Sequence, residues 1–484
     1  MGEVELQDLL ERTDDPLAEA MLVDGEPNVQ RLWSLVPPLV GPTFLGGREI
    51  SPKVLVGADA AVEALGVGPL TIAPGDLSCY GDAVPACVEA VGANAAGEHT
   101  HRLLLAASDQ DGPAVWWMEE GSRTVFQRSR GGRWEGIAPE AFAEAMTTVI
   151  TREAEEVEVA AELHVPELFR SCARLSLLRA LNAFEGRHPK YGWGGYEGPE
   201  HDAFPPTIIA LGHALIDVSL LARAEELVGH WLTAFVTAEG AFDYYGPALS
   251  EYGMMLDLGA RLARATRSRE WFAELGPVLR RIGDRLLRLR EERGGLLPGL
   301  PEADYHQDPT ASQTIYYGNN LWCARGLLAL SEVTAEPRFE AAARAWYHDS
   351  QMLLRADTVA VDYGVFLPWA AGEQTAAATL TTDREASYAN YRFYPEMLSS
   401  RLLGAEQAQV IFELRRRRGG EFAGCTRFSG WLDNWPAAEV GLAMLEYGEF
   451  AAAQRLLVGH IALCHAVGHQ TAYEQVSILP GNSG

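Results

Sequence analysis

The chain has 484 residues, 48% of them hydrophobic, and its 66 acidic residues outnumber Lys and Arg to give a net charge of −27 at pH 7. That length and apolar content allow one large domain or two ordinary ones with a sizeable core, and no charge-block or Ser/Gln-rich segment marks long disorder. The acidic balance excludes a nucleic-acid partner, which demands clustered Lys and Arg.

The acidic N-terminus lacks a basic start followed by an apolar run, so no secretory signal is expected. No segment approaches eighteen consecutive apolar residues, so no membrane span is expected and a cytoplasmic protein is the default. Residues 1–164 are expected to form a β or α+β domain with a linker helix. Within them, 101–108, 114–119 and 123–128 are predicted strands, joined by turns at Asp111-Gly112-Pro113 and Gly121-Ser122. Trp116 and Trp117 then fall on opposite faces of one strand. Residues 141–163 are predicted as a helix whose acidic run (Glu153, Glu155, Glu156, Glu158) is a solvated face.

From Val165 to the end the apolar spacing is helical throughout. Helices are predicted near 166–185, 204–217, 219–237, 249–266, 268–293, 314–332, 336–355, 388–403, 405–417, 432–447 and 449–467, with a short final one after His469. The connections near 218, 267, 333–335, 404 and 448 are short. Those at 186–203, 238–248, 294–313, 356–387, 418–431 and 468–484 are long and rich in Gly, Tyr, Trp, Asp and His. Short connections join antiparallel neighbours, so strict alternation puts every long loop at one end. The predicted fold is therefore mainly α, an (α/α)6 toroid of about six hairpins over residues 165–484. The basic run Arg415–Arg418 falls at a predicted helix C-terminus, where it complements the dipole.

The long loops carry the polar chemistry. The first holds Trp193, Tyr196, His201 and Asp202; the second Tyr244 and Tyr245, followed by Glu251. The third holds Asp304, Tyr305, His306 and Asp308 and enters a helix through Tyr316, Tyr317 and Asn320. The fourth leads to Tyr391, the fifth holds Trp431, Asp433 and Trp435, and the sixth Tyr473, Glu474 and Gln475. Aromatic faces paired with carboxylates and amides match the apolar face and hydroxyl groups of a sugar ring. Each residue alone also has a structural explanation: Asp202 and Asp308 as helix caps, Glu251 as a first-turn carboxylate. As a set they point to a cleft for a small-molecule or oligosaccharide substrate.

The segments GLLPGLPEADY…YYGNNLWCARGLLAL and Phe428-Ser-Gly-Trp431-Leu-Asp433-Asn434-Trp435-Pro436…Tyr473-Glu474-Gln475 resemble the six-hairpin glycosidases. That broad group includes trehalases, processing α-glucosidases, glucoamylase-like enzymes and α-rhamnosidases. In those enzymes a Trp-x-x-Pro helix start precedes a late Glu, whereas here Pro436 follows Trp435 directly. The resemblance implies inverting hydrolysis by two carboxyl groups about 6.5–9.5 Å apart. It places the general base at Glu474 and the general acid at Asp304, with Asp308, Glu251 and Asp202 in reserve. Two alternatives stay open on the same scaffold. One is a lyase, epimerase or terpenoid dehydratase-isomerase using groups such as Tyr305-His306, Tyr316-Tyr317, His201-Asp202 and Cys323; the other is a non-catalytic carbohydrate-binding protein.

The six cysteines show no CxxC and no zinc or disulfide framework. His201 with Asp202, and Asp304 with His306 and Asp308, are read as hydrogen-bonded loop residues. No metal or cofactor is implied, and no phosphate-cradling Gly motif or nucleophile elbow is present.

Overall fold

The structure is a computed structural model. It describes residues 12–477 apart from 13, 16, 18–21, 24–25, 48–49, 60, 62–67, 69, 74, 81–83, 110–111, 120–124, 130–134, 159–166, 192–200, 203, 245, 301–313, 363, 373–379, 381–386 and 429–430. The first described elements are a small hairpin, β1 (Leu22–Val23) and β2 (Glu26–Pro27), a short helix α1 (Val29–Trp33) and a second hairpin, β3 (Thr43–Gly47) and β4 (Ile50–Val56). An antiparallel six-stranded meander follows: β5 (Leu77–Tyr80), β6 (Val84–Ala93), β7 (His99–Asp109), β8 (Gly112–Glu119), β9 (Val125–Ser129) and β10 (Glu135–Ile137).

The sheet is apolar on both faces, because alternate residues of one strand feed two separate cores. Val88, Leu104 and Ala106 pack with Leu45 and Val56 of the β3–β4 hairpin, and Trp117 lies against that side. On the other face Cys87, Leu105 and Trp116 pack against Phe142 and Val149 of helix α2 (Pro139–Glu158). The two tryptophans do occupy opposite faces. Glu153, expected on a solvated face, is instead buried and accepts a hydrogen bond from Asn182 Nδ2 at 2.8 Å.

The helical part comprises α3 (Glu167–Asn182), the short strands β11 (Phe184–Glu185), β12 (His188–Tyr191) and β13 (His201–Asp202), then α4 (Pro205–Asp217), α5 (Leu221–Phe235), α6 (Leu249–Thr266), α7 (Arg269–Arg293), α8 (Tyr317–Thr334), α9 (Pro337–Asp357) and a hairpin of β14 (Val359–Val361) and β15 (Gly364–Phe366). It continues with α10 (Tyr394–Ser399), α11 (Ala405–Arg417), α12 (Ala437–Glu446) and α13 (Phe450–Gly459). A π-helical turn leads into α10 (Ala389–Phe393), and another leaves α13 (His460–Cys464). Helices α4, α6, α8, α10 and α12 each pack on the next but one in the chain, forming an inner wall. The alternate helices lie outside it, as expected of an (α/α)6 toroid. Each of the five short corners turns on one residue in the left-handed region: Ser219, Arg267, Ala335, Arg401 and Gly448. Only one of these is glycine, which is why the corners are hard to read from composition.

Inner helices α6 and α8 approach closely through glycine. A Cβ on Gly253 would lie 2.0 Å from the Trp322 carbonyl oxygen, and one on Gly326 2.4 Å from that of Gly253. Two large apolar clusters fill the space between inner and outer walls, one around Trp231, Leu258, Leu279 and Trp346, the other around Tyr394, Phe412 and Met444.

Three expectations need correction. Residues 470–477 form no helix: β19 (Gln475–Val476) adds to a sheet made of β16 (Glu421–Phe422), β17 (Cys425–Phe428) and β18 (Trp431–Asp433). The helix expected from 432 accordingly starts only at Ala437, after the β18 ladder is satisfied. Arg415 does not decorate an exposed helix end. It is fully buried, and its guanidinium donates to the Asn390 carbonyl (2.6 Å), to Asn390 Oδ1 (2.8 Å) and to Thr426 Oγ1 (2.9 Å).

The N-terminal segments brace the C-terminal sheet. Asp15 accepts from the backbone N–H groups of Ala423 (2.8 Å) and Gly424 (2.6 Å), and Trp33 Nε1 donates to the Ala462 carbonyl at 2.9 Å. Arg179 donates to the His469 carbonyl at 2.9 Å, and the Tyr473 hydroxyl donates to that of Pro42. Among the described residues no helix is long and apolar enough to cross a membrane.

Candidate active site

The connections before α6, α8, the α10 turn and α12 are the long ones, so the polar loops gather where the inner helices begin. At that end Glu396 lies on α10, which continues the π-helical turn, and two inner helices carry glutamate at the third position of a free N-terminus: Glu251 in α6 and Glu439 in α12. A carboxylate is favoured there because the first N–H groups lack intrahelical partners and carry the positive end of the dipole. The Ala248 N–H accordingly donates to Glu251 Oε2 at 2.8 Å.

The Glu396 and Glu251 carboxyls meet one guanidinium, and the charges of all three groups act on Glu439. Arg392 Nε donates to Glu396 Oε1 at 2.9 Å and its Nη2 lies 3.5 Å from Glu251 Oε1, while Ser250 Oγ donates to the same Glu396 oxygen at 3.0 Å. Exposure falls along the group, from 19% for the Arg392 side chain to 6% for Glu396 and 3% for Glu251. Full ionisation would leave two uncompensated negative charges in a desolvated place. Burial pushes Glu251 up to about 8, against the opposing pull of Arg392 and the Ala248 N–H. It pushes Glu439 up to about 8 as well, with the negative charge of Glu396 adding to the shift. The Glu439 residue itself is half-buried.

The second assembly lies on the closing sheet. Asp433 is buried, and its carboxyl accepts from the Trp435 N–H and from Gln475 Nε2, both at 2.9 Å. Burial raises it to about 7, and the negative charge of Glu474 adds to the shift. The β18–β19 ladder pairs Asp433 with Gln475, which sets Glu474 beside them, half-buried. The Trp435 ring meets Phe204, at the start of α4, edge-on at 6.3 Å, linking the last inner helix to the first.

Of the other predicted residues, Trp431 and Tyr391 are half-buried near this assembly, and Tyr391 packs on Phe428 at 4.9 Å. Tyr244 lies in an aromatic cluster with Trp231 and Phe235. Tyr316 is buried and stacks on Phe393 at 4.1 Å. Three residues expected at the substrate are structural instead. Asn320 is fully buried, its amide spent on the Leu297 backbone (2.9 Å to both N and O), the Tyr316 carbonyl and Trp346 Nε1. The buried Tyr317 donates its hydroxyl to Asp357 at 2.6 Å, and the Tyr473 hydroxyl is committed to Pro42. Their positions at helix starts and in a polar loop look functional in sequence, but their side chains turn into packing.

Asp304, Tyr305, His306, Asp308, Trp193, Tyr196 and Tyr245 lie outside the described residues, as do the side chains of His201 and Asp202; the latter two form the two-residue strand β13, paired with β12 (His188–Tyr191). Glu396, Glu439 and Arg392 escaped sequence reading. For Glu439 the signal was positional, a glutamate in the first turn of an inner helix after a long connection; Arg392 and Glu396 lie within a continuous helical stretch and carry no such signal. Among the described residues no group of three or more His, Cys, Asp and Glu is disposed to hold a metal ion.

No protein-family profile matches the chain, and no curated protein matches it. Solved structures do. A bacterial glucoamylase complexed with acarbose superposes over 92% of this chain and 87% of its own, with a TM-score of 0.54 at 10% identity. An unsaturated glucuronyl hydrolase specific for heparin matches 65% of this chain and 92% of its own (TM-score 0.41, 14% identity). A sugar epimerase from a ruminal bacterium matches 56% and 77% (TM-score 0.37, 10% identity). The chain therefore has the six-hairpin (α/α)6 toroid fold anticipated from its sequence, and the glucoamylase match carries that fold assignment.

Proposed function

We propose that the protein hydrolyses a glycosidic bond of a small or oligomeric glycoside, with inversion at the anomeric carbon. Glu474 acts as general base, taking a proton from the attacking water, and Asp304 of the third long loop protonates the leaving oxygen. The observation that carries this reading is the setting of Glu474. It is half-buried on the closing sheet, at the end of the toroid where the inner helices begin, beside an Asp433 whose carboxyl is raised to about 7. A general base needs access to water, and the half-buried Glu474 side chain keeps it on the polar end of the toroid. The bacterial glucoamylase with the same fold acts as precedent for such chemistry on this scaffold.

The proton-relay alternative draws less support. Burial raises the Cys323 thiol far above its ordinary value, and the Tyr317 hydroxyl is raised by burial and by its bond to Asp357. Neither is placed to exchange protons at neutral pH.

The test is turnover of a panel of 4-nitrophenyl glycosides and oligosaccharides, with the anomer of the first product read by NMR. Glu474→Gln and Asp304→Asn should each lower kcat by about 10²–10⁴. Wild-type turnover in Glu474→Gln, or product of retained configuration, would remove the proposed mechanism.

A further inference from the structure

Behind the closing sheet lies a file of polar side chains that the hydrolytic reading does not use. Asn434 holds both peptide groups that flank Glu474. Its backbone N–H donates to the Glu474 carbonyl at 2.8 Å, and its Nδ2 donates to the Tyr473 carbonyl at 2.5 Å. Those two peptide planes define the backbone angles of Glu474 and hence the direction in which its carboxylate leaves the chain.

The other face of Asn434 continues inward. Its Oδ1 lies 2.7 Å from His460 Nδ1, His460 Nε2 lies 3.0 Å from His465 Nε2, and His465 Nδ1 lies 3.4 Å from Cys172 Sγ on α3. Cys172 and His465 are buried.

The positions of the hydrogens follow from the fixed end. With Nδ2 on the Tyr473 carbonyl, Asn434 can only present oxygen to His460, so His460 Nδ1 carries a proton. Both imidazoles are held neutral by burial, His460 down to about 3 and His465 to about 4. His460 Nε2 is then bare, and the 3.0 Å contact requires a proton on His465 Nε2. That leaves His465 Nδ1 as an acceptor. The Cys172 thiol, kept protonated by a shift up to about 11 through burial, is the donor within reach. The Gln470 carbonyl, 3.2 Å from the same nitrogen, would claim it only if His465 took the opposite tautomer, which sets two bare nitrogens face to face.

We propose that Cys172, His465, His460 and Asn434 form one neutral, directed hydrogen-bond chain that aims the Glu474 carboxylate, making Asn434, His460, His465 and Cys172 positioning residues for the base. The inference rests on the reading of Glu474 as base, but the chain itself can be tested without activity.

Two measurements decide it. Long-range 1H–15N NMR of the histidine-labelled protein should show His460 as the Nδ1–H and His465 as the Nε2–H tautomer, both neutral at pH 7. Against a glycoside that wild type turns over, Cys172→Ala should lower kcat about ten- to a hundredfold with KM little changed, the cost of a misplaced catalytic group. Cys172→Ser, which keeps a donor, should restore most of it, and Asn434→Ala should be at least as damaging as Cys172→Ala. An Nδ1–H His465 or an imidazolium in the pair overturns the chain. Correct tautomers with unchanged kcat in Cys172→Ala and Asn434→Ala, whatever their thermal stability, overturn the positioning role alone. Absence of any turnover by wild type overturns the hydrolytic reading and the positioning role together, while the NMR result still stands or falls separately.

Discussion

The carboxyl group at the start of the inner helices makes a quantitative prediction about stability and pH. Glu439 is raised from an ordinary 4.5 to about 8 in the folded protein. Between those values the folded state holds a proton that the unfolded chain has lost, so folding stability falls as pH rises. The contribution is fully present below about 4.5, declines through the window and is gone above about 8. The slope is about 1.4 kcal/mol per pH unit for each such group, so moving from about pH 6 to about pH 7.5 removes about 2 kcal/mol through Glu439 alone. Glu251, raised over the same window, adds to the decline. Glu439→Gln mimics the protonated form and cannot lose its proton. It should therefore remove about one proton's worth of slope, and it should also lower Glu251 by deleting a like charge nearby. Urea unfolding of both proteins across this pH range reads the difference directly. Parallel stability–pH curves for wild type and Glu439→Gln would refute the argument.

Two further predictions concern how the site is held. Gly253→Ala should destabilise by about 2 kcal/mol net, because its Cβ meets rigid backbone of α8 and overpacking outweighs the gain of about 1 kcal/mol in helix propensity; a raised urea midpoint would show that the inner helices can part freely. Arg415→Met should cost about 3–5 kcal/mol, since it strips the Asn390 carbonyl, Thr426 and the buried Glu421 of their shared partner, and a loss under 1 kcal/mol in urea unfolding would show that the group is not the strut described.

What was legible in the sequence was the periodic part. The alternation of short and long connections defined the order of inner and outer helices without any contact information, and the residues at corners and caps confirm why it works: each short corner needs a single left-handed residue, whatever its type. Two kinds of feature were not legible. Strands of two or three residues, such as Gln475–Val476, are too short to show a period. Side-chain direction at a helix start was the other. Asn320 and Glu439 both sit in the first turn of an inner helix, yet Asn320 turns outward to Trp346 and Leu297 while Glu439 joins Glu251 and Glu396. One residue's rotation around the helix separates a strut from a site group, and a loop of undetermined shape hides that rotation from sequence.

The electrostatics of the two assemblies follow from where each carboxyl sits. A helix N-terminus stabilises a carboxylate by about 0.3–1 kcal/mol, and by about 2 kcal/mol in the most favourable settings. Raising Glu251 from 4.5 to about 8 corresponds to about 5 kcal/mol in the opposite direction. Desolvation therefore wins over the dipole by a clear margin, and the positions that look most welcoming to a negative charge in sequence are those that hold a proton in the fold. Glu474 lies elsewhere, half-buried on a short strand connection and not in a first helical turn. The architecture thus separates Glu251 and Glu439, raised by burial at the starts of α6 and α12, from the group proposed to take a proton from water, on the sheet that closes the ring.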